Sequence, residues 1–295
     1  MDNIVVSGLP KSEWLAARHP HIGGSEIGAV LGLNKYKTAL QLYEEKIGPV
    51  PEDIQPNPKM LAGTRQEPLI AQAYADLTGN AVSSDGLLRV HPDYPFCSVS
   101  LDRVIADKGD GRGPGVLECK NATSMYASTW EQDVPLPYYC QTQWGMFVSG
   151  FKWGAICVQI DGWDIRILPV ERDDDFIAMM LEAAKEFWHC VETRTPPEAV
   201  ADDVEKMTVE AGKQVQVDES ITELLADIAT ARSDRKSAEV HEDVLTDALK
   251  LKIGNAESVV DGDKILVTYK LVSVKESYRP ASSYRKLDIK KSKRG

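Results

Sequence analysis

The chain has 295 residues, 43% hydrophobic and 27% charged, with a formal net charge of −11. That length allows one large domain or a domain with an appendage. No run approaches the roughly 18 apolar residues of a membrane span, and Met1–Pro10 has neither the charged start nor the apolar core of a secretory signal, so a cytoplasmic protein is expected. Five cysteines, 17 to 33 residues apart, form no metal-ligand spacing and read as reduced, mostly buried thiols. The acidity is concentrated. Residues 198–247 carry 14 acidic and 5 basic side chains, whereas Arg285–Arg294 has six basic residues against Asp288 alone. The overall sign therefore says little about the field inside a cleft.

In chain order, the spacing predicts a short helix capped by Ser12 and running through Ala17. A tight Ile22-Gly23-Gly24-Ser25 loop follows, with Ser25 capping a second helix over Glu26–Leu31, its first N–H groups facing outward. Thr38–Ile47 reads as a helix ended by Gly48-Pro49, and residues 49–60, with four prolines, as an exposed loop. A helix over Met60–Thr78 should bury Leu61, Leu69, Ile70, Ala73, Tyr74 and Leu77. The period then changes. Leu87–Val90, Phe96–Leu101 and Val116–Lys120 read as strands, the last two separated by a Gly-rich connector over Asp107–Gly115. Helices are expected at Tyr138–Val148 and Asp173–Glu192, flanking a hairpin of Ala155–Ile160 and Ile165–Val170 around Asp161-Gly162. Thr195-Pro196-Pro197 should end the compact domain, giving domains 1–197 and 198–295. The second holds a long helix over Asp218–Ile253 with a Ser220/Glu223 capping box, then strands at Val259-Val260, Ile265–Lys270 and Leu271–Val274 with an Asp261-Gly262 turn, and a basic tail.

The chemistry concentrates in Ser100-Leu101-Asp102-Arg103 and Val116-Leu117-Glu118-Cys119-Lys120. In a strand, residues two apart share a face, so Glu118 and Lys120 should project together and Cys119 the other way. Two carboxylates and an ammonium at one sheet edge are costly to gather unless something binds there. A hard divalent cation on the carboxylates, with the lysine beside its water, would use all three in phosphodiester hydrolysis. Solvated hairpin residues would give the same letters. His91 before Pro92 suits a turn, and the tryptophans at 130, 144, 153, 163 and 188 suit a core.

Further stretches carry a resemblance. Arg18–Ser25 (R-H-P-H-I-G-G-S), Glu26–Gly32, Tyr36-Lys37-Thr38, Gly63–Pro68, Thr78-Gly79, His91-Pro92, Ser100–Asp102, Leu117–Lys120 and Pro137–Trp144 stand in one order over about residues 10–195. This series resembles the YqaJ-type viral recombinases, the phage-lambda-exonuclease-like branch of the PD-(D/E)XK nucleases. The resemblance implies an α/β (α+β) core with a mixed central sheet flanked by helices, and a C-terminal extension of long helix and short strands. It implies that Glu67, Asp102 and Glu118 hold two Mg²⁺ ions, replaceable by Mn²⁺, with the Cys119 carbonyl a further ligand. Lys120 would orient or deprotonate the attacking water, and Gln141 would hold the lysine or the DNA. Arg18 and Ser25 would hold the 5′ phosphate, as suits a guanidinium and a hydroxyl near a helix N-terminus. Apart from the resemblance, Lys35 and Lys37 could touch a DNA backbone and Trp14 a base, although an ordinary surface role accounts for them equally. The family's partners follow: double-stranded DNA ends, a single-strand annealing protein, a homo-oligomeric ring (a trimer) and a phage or prophage in a bacterial cell. The proline often found before the first catalytic Asp is replaced by Leu101. Alternatives of the same or another class are an endonuclease, a non-catalytic DNA-end or partner-binding module, and a docking role for residues 198–295.

Overall fold

The alternation read at Glu118 and Lys120 is realised in the central strand of a mixed sheet. The structure, a computed structural model, describes residues 4–6, 10–50, 57–84, 86–131, 133–206, 214–261 and 264–268. Strand β1 (Ile4–Val6) precedes helices α1 (Lys11–Arg18), α2 (Ile27–Val30), α3 (Ala39–Ile47) and α4 (Pro58–Thr78). Strands β2 (Val82–Ser83), β3 (Leu88–Val90), β4 (Ser98–Val99), β5 (Arg103–Ile105) and β6 (Gly115–Ala122) follow. A 3-10 helix (Ser124–Trp130) leads to α5 (Leu136–Ser149), β7 (Trp153–Ile160), β8 (Asp164–Glu171), α6 (Asp174–Thr193) and α7 (Ala201–Lys206). The chain divides into two compact units, 1–207 and 208–295.

In the first unit the five-stranded sheet has the order β2-β5-β6-β7-β8, and β1-β3-β4 form a second sheet. Strands β6 and β7 run parallel, Glu118 opposite Ile156, while the other neighbours run antiparallel. A parallel pair needs a crossover, and α5 supplies it. The pleat then separates two cores. Leu117 and Cys119 pack with Ile70 and Tyr74 of α4 on one face. Val116, Ile156 and Val158 face Trp144 and Met146 of α5 and the buried side of α6 on the other. Glu118 and Lys120 share Val116's face, beneath α5. Gly154 permits the close approach: a Cβ there would fall 2.8 Å from the Val116 carbonyl oxygen. Asp161 and Gly162 take φ of 51° and 83°, the left-handed pair that a tight hairpin requires.

Several local expectations are corrected. Helix α1 begins after Pro10, and Ser12 lies inside it as no cap. Helix α2 starts at Ile27 after Glu26, with no side-chain cap, so Ser25 is not its cap. Helix α4 begins at Pro58 behind an Asn57 cap and carries Pro68 within it. Of its expected apolar face, Ile70 and Tyr74 are buried but Leu61, Leu69 and Leu77 are exposed, because α4 touches the sheet along a narrow line. The strand expected over Phe96–Leu101 is only Ser98–Val99, and Asp102 sits at the bend before β5. Trp163 is 79% exposed at the hairpin tip, unlike the buried Trp130 and Trp144. Beyond Pro197 the first unit continues into α7. Its Asp203 is buried, accepts a hydrogen bond from the hydroxyl of Thr38 and a second from the Val200 N–H at 2.9 Å. Thr38 itself caps α3 through a reciprocal box with Gln41.

The second unit consists of helix α8 (Glu219–Ile253) and a hairpin of β9 (Ser258–Asp261) and β10 (Lys264–Thr268). The expected cap is corrected here too: Asp218 accepts from the Ile221 N–H, and Ser220 donates to Asp218. None of the residues of α8 is buried. The strand expected at Leu271–Val274 and the basic tail lie outside the described residues, as do residues 51–56 of the expected proline-rich loop and Gly262 of the expected turn. The cysteines are all free, four of them buried.

Candidate active site

Asp102 reaches the sheet from the bend before β5, and its Oδ2 accepts a hydrogen bond from the Cys119 N–H at 2.9 Å. That bond pins the bend to β6 beside Glu118. Glu118 is 3% exposed, so it lies buried in the central strand and not at a sheet edge as the sequence suggests. Its Oε1 accepts from the Lys120 ammonium and from Gln141 Nε2 at 2.6 Å, and Lys120 also donates to Gln141 Oε1 at 3.3 Å. Gln141 comes from α5, one turn into the crossover helix, so its amide closes a triangle with the two β6 side chains. The Tyr138 ring, one turn earlier on α5, lies 5.1 Å from the Lys120 Nζ.

Burial, then the charge of Asp102, pushes the Glu118 carboxyl up to about 8. Burial alone would lower Lys120, but the Glu118 and Asp102 carboxylates outweigh it and hold the ammonium above its usual range. Burial also pushes the Cys119 thiol up, and its side chain faces α4, so only its backbone can serve the site. A consequence is testable. A carboxyl whose folded value is raised contributes stability in full below its ordinary value near 4.5, and that contribution is lost as pH rises through about 8. Without divalent metal the protein should lose stability progressively across that window, and Glu118→Gln should flatten the loss. Urea unfolding of both proteins at several pH values checks this; parallel pH profiles would show that Glu118 is not the group responsible.

The remaining expected residues fall into two places. Glu67 on α4 is ion-paired to Arg103, whose guanidinium also donates to the Asp102 carbonyl. Among the described residues no three His, Cys, Asp or Glu side chains gather as a metal-holding group. Arg18 and Ser25 do meet: Arg18 Nη2 donates to Ser25 Oγ at 2.7 Å, with the guanidinium 5.3 Å from the Trp14 ring centre. A groove of about 780 Å³ runs from Ser25 to Lys120 and Gln141, lined also by Lys35, Tyr126 and Tyr138 among others. Lys35 stands between the Tyr36 and Tyr126 rings, whereas Lys37 is paired to Glu45. His91 serves its turn, accepting from the Asp93 and Tyr94 N–H groups, and stacks on Phe147. Sequence reasoning missed Arg103, Tyr138 and Lys46 of α3, which is ion-paired at 2.9 Å to the Glu26 that also approaches Arg18. Arg103 is adjacent to Asp102 and Tyr138 precedes Gln141 by one helical turn, signals that were available; Lys46 offers none.

The donor set suits a hard cation. Asp102 and Glu118 bring carboxylate oxygens together with the Cys119 backbone, and Mg²⁺ commonly uses one or two protein carboxylates and leaves its other positions to water and phosphate.

A mixed sheet flanked by helices thus carries an acid before one strand, an E-x-K on the next and a glutamine on the following helix. Residues 13–152 match the family model described as the YqaJ-like viral recombinase domain. It is similar to the protein YqaJ of Bacillus subtilis, 31% identical over 186 residues, covering 62% of this chain and 57% of the relative. The chain thus spans little more than half the length of that curated relative. Among solved structures it is similar to an alkaline exonuclease, LHK-Exo, from Laribacter hongkongensis: 24% identity, TM-score 0.52, covering 62% of this chain and 93% of that one. The complex of LHK-Exo with dAMP matches over the same shares at 23% identity and TM-score 0.52. No helix among the described residues is long and apolar enough to cross a membrane.

Proposed function

We propose that this protein is a Mg²⁺-dependent exonuclease that digests one strand of duplex DNA from its 5′ end and releases 5′ mononucleotides. The observation that carries the reading is the single groove shared by Ser25, beside Arg18, and by Lys120 and Gln141. The lining offers the Ser25 hydroxyl, which the Arg18 guanidinium contacts from behind, together with Lys120 and Gln141, whose partner Glu118 lies beneath them. Asp102 and Glu118 would hold the cation, with the Cys119 carbonyl, and Glu67 joins them only by releasing Arg103. When bound, Mg²⁺ supplies Lewis-acid charge to the scissile phosphate, and Mn²⁺ can replace it. Lys120 stays an ammonium, so it orients the attacking water and stabilises the charge that grows on the phosphate; it does not take the proton. Gln141 fixes the lysine through its Oε1 and fixes Glu118 through its Nε2. A nucleotide such as the dAMP held by LHK-Exo is the product this reading expects. The 3′ single strand left behind would pass to a strand-annealing protein in phage-type recombination in the bacterial cytoplasm. A trimeric ring around the duplex would give processivity.

The test is digestion of a linear 5′-phosphorylated duplex beside the same duplex closed into a circle, each with and without Mg²⁺. Metal-dependent loss of the linear form alone is expected. Cutting of the circle would make the protein an endonuclease, and binding without cleavage, with Mn²⁺ also supplied, would leave only a DNA-end-binding module.

A further inference from the structure

The Gly23-Gly24-Ser25 loop is not held by a helix cap but by one part-buried carboxylate. Glu26 Oε2 accepts from the Gly23 N–H at 2.8 Å and from Lys46 Nζ at 2.9 Å, while its Oε1 lies 3.7 Å from Arg18 Nη2. The Lys46 side chain, from the last turn of α3, is 4% exposed and that of Glu26 14%. Burial works to raise the Glu26 carboxyl, but Lys46, then Arg18, outweigh it and hold it below its usual range. Arg18 lies flat against Gly23, where a Cβ would meet Nη2 at 3.0 Å, so the guanidinium and the loop have one fixed relation. From that position the same Nη2 reaches Ser25 Oγ at 2.7 Å. Glu26 itself does not line the groove, and Ser25 does.

We infer that Glu26, braced by Lys46, is a positioning residue for the end-phosphate site: it sets Arg18 and the Ser25 loop in the geometry that selects a DNA terminus bearing a 5′ phosphate. This rests on the proposed reading of Arg18 and Ser25. The carboxylate does two things. It ties three elements, the end of α1, the loop and α3, at one point. It also offsets one of two neighbouring cations, so that Arg18 and Lys46 stay together without repelling each other and a single net positive charge faces an incoming dianion. Without it Arg18 would be free to swing from Ser25, and the loop N–H would lose its acceptor.

The measurement is the ratio of digestion rates on a 5′-phosphoryl and a 5′-hydroxyl duplex. For wild type the ratio should exceed one. Glu26→Gln should lower it about tenfold, the scale of one charge-assisted contact, while leaving the 5′-hydroxyl rate within about twofold. Because that variant strands Lys46 as a buried unpaired charge, the double variant Glu26→Gln/Lys46→Met is measured beside it; it removes the pair together and should show the same lowered ratio. Glu26→Asp, which restores the charge, should recover part of the preference. A ratio unchanged in folded single and double variants overturns the inference. A general loss of rate on both ends, with the ratio intact, also overturns it, since that is the signature of a merely structural ion pair. A wild-type ratio of one would instead overturn the end-phosphate reading beneath it.

Discussion

Replacing Lys120 by alanine is expected to slow phosphodiester hydrolysis by roughly a hundred- to a thousandfold while the fold persists. The reason is the network around its ammonium. Lys120 donates to Glu118 and to Gln141 and lies near the face of Tyr138, so it is held in one place before substrate arrives. A donor already placed where negative charge will grow costs nothing to reorganise during the reaction, which is why the loss of one such group is large. Lys120→Arg should recover little, because a planar guanidinium cannot take the position of a compact ammonium between a carboxylate and an amide. Gln141→Ala should cost less than Lys120→Ala, because it loosens the lysine without removing it. Single-turnover digestion of a phosphorylated duplex, with circular dichroism to establish folding, is the check. Activity of folded Lys120→Ala within tenfold of wild type would take Lys120 out of the mechanism.

The largest effect on stability is expected from Trp144→Ala, about 3–5 kcal/mol by denaturant unfolding. Trp144 is fully buried on α5, tilted against Phe147, and its Nε1 donates to the Ser98 carbonyl at 3.0 Å. The substitution opens a cavity and leaves a buried carbonyl without its donor, two costs that add. It also removes the surface on which Gly24 rests, since a Cβ on Gly24 would meet the Trp144 ring at 3.7 Å. Activity should therefore fall further than the folded fraction alone explains. Trp163→Ala, at the exposed hairpin tip, is the matched control and should change stability by less than about 0.5 kcal/mol. A cost below 1 kcal/mol at Trp144 would mean that α5 repacks freely over the sheet.

How far these features could be read from the chain depended on the range over which their partners act. Thr38 and Gln41, Asp161-Gly162 and the alternation of Glu118 with Lys120 are decided by neighbours a few residues away, and the sequence states them directly. The joining of Asp102 to Cys119 follows from a hairpin of known strands. Ser25 reads as a cap because it precedes a helix, yet Arg18 draws its hydroxyl away and Glu26 takes the Gly23 N–H instead. Asp203 looks like one more acid in an acidic stretch; only the packing of α7 against the start of α3 buries it. Glu67 similarly reads as an acid on a helix, and nothing local tells that Arg103 will meet it. Leu69 and Leu77 sit at helical spacing with Ile70 and Tyr74, but the width of the contact with the sheet, which spacing does not record, decides which are covered.

The parallel pairing of β6 with β7 also bears on the order in which the site comes together after synthesis. Asp102, Glu118 and Lys120 belong to a hairpin that can close locally, whereas Gln141 arrives only when α5 has formed and β7 has returned to lie along β6. Closing that long crossover has to overcome chain entropy that the hairpin does not. The acidic pair is thus expected to assemble before the groove is complete, and the hydrolysis proposed above would wait on the slower event.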